Sequence, residues 1–153
     1  MRKMAWLLVT AFGLAGEAHA TGGFSCSIED KAVKLSVEGL FTRGMGEPVL
    51  NFGGNIEVLS KQVPADLRTF ELGRNNLAQT WLHGKDIKLK IYQELEGNAP
   101  HGSVEVVIET RQTPRDELEY AGTYVLNVFY MAPEPGGDGK TFTAHGRASC
   151  SAG

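Results

Sequence analysis

Long apolar runs are almost missing from this chain. One stands out, Met4–Ala15 (M-A-W-L-L-V-T-A-F-G-L-A), and it stops after twelve residues, just before Gly16 and Glu17. A helix that crosses a bilayer needs about 20 apolar residues, so this run is too short for an anchor. Basic residues are not in excess either: 15 Lys and Arg stand against 18 Asp and Glu, a formal net charge of −3. Nucleic acids and anionic membranes select basic patches, which argues against both as the main partner. Cysteine is reduced to Cys26 and Cys150. No internal repeat, low-complexity tract or domain linker breaks the chain, and the 3.6-residue apolar period of a helix is nearly absent.

Catalytic signatures are lacking as well. The G-x-S-x-G turn that lifts a nucleophilic serine does not occur. Gly44-Met45-Gly46 runs into Glu47-Pro48 rather than into a helix, so it lacks phosphate-binding geometry and reads as a hairpin turn. Zinc motifs use short paired spacings, whereas His83, His101 and His145 lie 18 and 44 residues apart, each followed by glycine. With a carboxylate such as Glu119 they make a metal site only if the fold gathers them. Exposed loop and strand histidines are the plainer reading. Paired carboxylates of the glycosidase kind leave no sequence signature. No catalytic, metal or cofactor-binding residue is therefore assigned, and no cofactor is expected.

What is present begins at the N-terminus. Arg2 and Lys3 precede the apolar run, and Ala18-His19-Ala20 follows it with the small-x-small pattern of signal peptidase. Residues 1–20 are expected to be a cleaved secretory signal peptide. Arg2-Lys3 is not a twin-arginine signal, and Gly23 stands where a lipoprotein box has a branched apolar residue. The short signal with its A-x-A end points to a bacterial periplasm, and no transmembrane segment is expected after cleavage. The mature chain, residues 21–153, then has thirteen basic and seventeen acidic residues, a net charge of −4. Its length suits a single domain.

In that domain the apolar period is two. Phe24, Cys26 and Ile28 alternate with small or polar residues, as do Val33, Leu35 and Val37. The pattern recurs at Ile87–Ile91, Val104–Ile108, Tyr124–Tyr130 and Phe142–Cys150. Such alternation marks half-buried strands. Residues 123–131 are apolar on both faces, which predicts a central strand. Gly53-Gly54 reads as a bulge or bend. Asn76–Leu82 fits a strand better than a short capped helix, and Pro114–Tyr120 fits one helical turn. The long polar connection Ala132–Lys140 reads as passive rather than as a binding loop. Trp81, Leu82 and Tyr92 could form an aromatic patch for a ligand, but core packing is the expectation for large apolar residues.

Eight to ten short strands without βαβ alternation predict an all-β domain, an antiparallel β-sandwich or small β-barrel. Cys26 and Cys150 fall on inward positions of the first and last strands. A disulfide between them requires those strands to be adjacent, with Cα atoms about 4.4–6.8 Å apart. The functional expectation is a non-catalytic binding or accessory protein of the cell envelope, its partner an unidentified protein or envelope ligand. The alternative is a small secreted hydrolase or metal-dependent enzyme using dispersed His, Asp and Glu.

Overall fold

The computed structural model describes residues 22–42, 47–97, 100–132 and 137–153. The expected signal peptide, the Gly44-Met45-Gly46 turn and Pro133–Gly136 lie outside the described residues. Nine strands form: β1 (Gly22–Glu29), β2 (Val33–Phe41), β3 (Val49–Val58), β4 (Thr69–Leu72), β5 (Leu77–His83), β6 (Asp86–Glu94), β7 (Gly102–Gln112), β8 (Glu119–Met131) and β9 (Gly139–Ala152). Among the described residues the helical pieces are two 3-10 turns, Ala65–Leu67 and Arg74–Asn76. All the strands belong to one antiparallel sheet in the order β4-β3-β2-β1-β9-β8-β7-β6-β5, curled into a half-barrel. Among the described residues there is no second sheet, so the sandwich alternative falls and the barrel-like one stands.

The two-residue period explains the curl. Every second side chain points to the concave face, where Ile28, Leu35, Val37, Ile56, Leu89, Val106, Ile108 and Leu126 are among the buried residues of one core. The convex face carries the polar alternates. Burial of each large aliphatic side chain contributes about 1.5–3 kcal/mol before the entropy of ordering is counted. One end of the core is sealed by the connection from β3 to β4, which buries Val63 and Leu67. Arg68 holds that connection by donating from Nε to the Val63 carbonyl at 2.7 Å, and Tyr130 donates its hydroxyl to the Gln62 carbonyl at 2.9 Å.

Cys26 and Cys150 are bonded and directly opposite in the β1–β9 register, so the first and last strands are neighbours as expected. Their Cα atoms are 4.0 Å apart, a little closer than expected, because facing residues of a non-hydrogen-bonded antiparallel pair approach more closely than bridged cysteines in general. β1 pairs with only the last part of β9, from Ser149 to Ala152. Beyond it the turn after β1 is tied to β8, where Tyr124 donates its hydroxyl to Asp30 Oδ2 at 2.5 Å. Asp30 also accepts from the backbone N–H of Ala32 and Val33. Gly146 makes room for this contact, since a Cβ there would lie 2.6 Å from Asp30 Oδ2.

The two glycines at 53–54 mark an irregularity in a continuous strand. Asn51 and Phe52 of β3 together oppose Gly39 of β2, a bulge in which Asn51 takes φ 50°. Asn tolerates that left-handed region better than most residues. A Cβ on Gly54 would stand 2.1 Å from the Ser36 carbonyl oxygen, so backbone packs on backbone here.

Three expectations meet the structure differently. Asn76–Leu82 is strand, as β5, preceded by the 3-10 turn that Asn76 ends. Pro114–Tyr120 is not a helical turn: Leu118 N–H goes to Asp116 Oδ1 and Asp116 N–H to Thr113 Oγ1. These local side-chain acceptors compete with helical backbone bonds. Residues 123–131 do lie inside the sheet, between β7 and β9. Their outer face is nevertheless in solvent, with Val125 41% exposed, because a single curled sheet has no second layer to cover it.

Candidate functional site

One end of the half-barrel is sealed by Val63 and Leu67; the other is open. Strand directions place the start of β1, the end of β2, the β5–β6 hairpin, the start of β8 and the end of β9 at that open end. The hairpin turns at Gly84, whose φ of 59° suits glycine. The result is a hollow of about 560 Å³ whose apolar wall is Phe41, Leu82, Ile87, Leu118 and Tyr120. Phe41 is fixed by stacking on Phe24 with ring centroids 4.2 Å apart. Gly22, Gly23 and Gly153 contribute only backbone to the wall, which leaves the hollow wide. Its polar side holds His83 and Asp86. Asp86 accepts from Arg111 Nε at 2.7 Å, and that hydrogen bond holds its carboxyl below the ordinary aspartate range.

Leu118 and Leu82 at this end are 56% and 39% exposed, and Trp81, next to Leu82, is 59% exposed. Core packing, expected for Trp81 and Leu82, is thus not what the fold does with them. β5 is an edge strand, and the concave face next to it is not filled. Trp81 points outward over a shallow depression of about 830 Å³, flanked by Gln79, Lys88, Lys90, Val107 and Glu109. Tyr92 does not join it; its hydroxyl lies 3.3 Å from Glu94 Oε2, to which it donates. The lysines there are already paired, Lys88 with Glu109 at 2.9 Å and Lys90 with Glu105 at 2.8 Å.

The three histidines are not brought together. His83 closes β5 beside Trp81, with ring centroids 6.1 Å apart. His101 precedes β7 and faces Glu94 at 3.1 Å. His145 stands on β9 opposite Val125. Glu119 starts β8, at the end of that strand remote from Met131, whose N–H donates to the His101 carbonyl. Among the described residues no three His, Cys, Asp or Glu side chains are placed to share a metal ion. The sequence carries no marker for Leu118 as a surface residue, since it sits in a stretch that reads as one helical turn; the position of its loop at the open end exposes it.

Comparison with known proteins adds no relative to set beside this geometry: no family model, no curated protein and no solved structure matches the chain.

Proposed function

We propose that this chain is an exported protein of the bacterial cell envelope, resident in the periplasm, that binds a partner or ligand and catalyses no reaction itself. The observation that carries the binding reading is the exposure of Leu82 and Leu118, two of the five large apolar side chains left exposed among the described residues, in the wall of the hollow at the open end. Apolar surface rimmed by polar groups marks interaction sites more often than chance. The N-terminal pattern of Arg2, Lys3, Met4–Ala15 and Ala18-His19-Ala20 supports export, and so does the disulfide, because such bonds persist in oxidising compartments and are rare in the cytosol.

Cell fractionation and mass spectrometry test the first half: a periplasmic species starting at Thr21 with both cysteines oxidised is expected, and a cytoplasmic full-length chain overturns it. For the second half, partners are captured from periplasmic extract, purified and titrated calorimetrically against the wild type and Leu118→Asp. Binding to the wild type that is lost in the variant supports the open end as the site. Turnover of an envelope substrate by the purified protein, abolished by replacing a histidine or carboxylate, favours the hydrolase or metal-dependent enzyme instead.

A further inference from the structure

We infer that β5 is the pairing edge of a homodimer, in which the strand lies antiparallel to β5 of a second copy with Trp81 facing Trp81 across the two-fold axis. Three observations lead there. First, β5 pairs with β6 along one edge, and among the described residues no strand pairs with its other edge. Along it runs a hollow of about 340 Å³ lined by Thr80 to His83, Thr42 and Pro48. A free edge is a row of unpaired N–H and C=O groups, and soluble proteins usually guard such rows with charge, proline or brevity. β4, the opposite edge of the sheet, is guarded: it has four residues, one of them Glu71. β5, Leu-Ala-Gln-Thr-Trp-Leu-His, has seven residues and neither an acid, a lysine, an arginine nor a proline.

Second, the strand is exposed on both faces. Its inward Leu82 and its outward Trp81 are both in solvent, although their register partners on β6 include the buried Ile87. Third, the strand is complementary to itself. The pairing with β6 slips between Leu77 and Gln79, so Ala78 is the extra residue and Gln79 to His83 is the regular stretch. A two-fold axis through the middle of that stretch passes at Trp81. It sets Thr80 against Leu82 of the other copy on the concave face, and Gln79 against His83 on the convex face. No formal charge meets its own kind, and the central pair is two indoles, a favourable cross-strand combination.

Sedimentation equilibrium of the oxidised mature protein tests the proposal. The expected result is a concentration-dependent mass rising to twice that of one chain, and its complete loss in Trp81→Lys, which places two ammonium groups opposite each other. Circular dichroism of the variant checks that it is folded. A second reading is register-specific and needs no equilibrium: under mild oxidation Trp81→Cys forms a disulfide-linked dimer, whereas Thr80→Cys, which faces Leu82, does not. A monomer at every concentration overturns the proposal. So does a dimer that survives Trp81→Lys, or one in which Thr80→Cys cross-links and Trp81→Cys does not, since the copies then meet elsewhere or in another register.

Discussion

Between β1 and β9 the half-barrel is joined by four residue pairs, a buried disulfide and two serine pairs on the outer face, Ser25 with Ser151 at 2.9 Å and Ser27 with Ser149 at 3.1 Å. Between β4 and β5 the hydrogen bonds among the described residues come from side chains of the 3-10 turn Arg74–Asn76. Asn76 accepts from the Gly73 N–H at 2.8 Å and donates to the Tyr92 carbonyl at 3.2 Å and to Gln93. Arg74 reaches the Val49 carbonyl at 3.2 Å and pairs with Glu47. Each side of the first junction reads Ser-Cys-Ser, so one alternation puts sulfur in the core and hydroxyls in water on both strands at once. The second junction has no such repeat; Asn76 and Arg74 bind backbone groups and the side chains of Gln93 and Glu47. The first includes a covalent bond; the second consists of hydrogen bonds, each with a net contribution of about 1 kcal/mol, and an exposed Arg74–Glu47 ion pair of similar or smaller weight.

Removing the disulfide gives the largest effect. The bond spans 124 residues of sequence, and loop closure of that order stabilises by roughly 4–5 kcal/mol in the chain-entropy model. Cys26→Ser with Cys150→Ser should lower the melting temperature sharply, yet leave a folded sheet, because a domain of this length buries a sizeable core. Equal melting temperatures for the double variant and the wild type would mean that the ladder alone holds the junction.

Asn76→Ala should come next, at about 1–2 kcal/mol, since it leaves the Gly73 N–H without its acceptor. Hydrogen exchange should accelerate in β5 but not in β1 or β9. Uniform acceleration would show that the two junctions are not independent.

Tyr124→Phe probes the closed side at about 1 kcal/mol and has a pH signature. Burial alone would raise the Asp30 pKa, but the Tyr124 hydroxyl, the Ala32 and Val33 N–H groups and Lys31 together bring it below the ordinary 3.8. A carboxyl depressed by folding stabilises above its unfolded pKa and loses that contribution as pH falls through its folded value. The wild type should therefore lose stability below pH 3.8, and Tyr124→Phe should lose less over the same range. Identical acid profiles would remove the Tyr124–Asp30 bond as a contributor.

The smallest effect is expected at the open edge. Trp81→Ala should change monomer stability by less than about 0.5 kcal/mol, because the side chain is 59% exposed. Thermal unfolding of dilute protein checks this, and a large loss would mean that the indole packs where the structure leaves it free.

The same contrast governs what could be read in advance. The closed side was legible because period-two alternation and a pair of cysteines are local signals: Cys26 and Cys150 sit in phase with Ile28 and Ala148, and the bond demands that β1 and β9 meet. The open side was not. That Asn76–Leu82 is strand follows from its pattern, but that this strand is an edge depends on which partner is absent, and absence leaves no mark in the residues. Trp81 and Leu82 were for that reason expected in the core. Val125 and Phe129 suggested burial on two faces, and only the lack of a second layer leaves Val125 in solvent.

The opening between β4 and β5 has a cause deeper than side chains. In a ring of strands that alternate up and down, closure needs an even count, and the described residues form nine. Counted outward from β1 and β9, β4 and β5 point the same way. To pair with each other they would have to do so in parallel, which takes a crossover of a dozen residues or more, and Gly73–Asn76 supplies only four. The gap is therefore a matter of parity. Substitutions can widen or decorate it, but only a longer connection or a strand from outside can fill it.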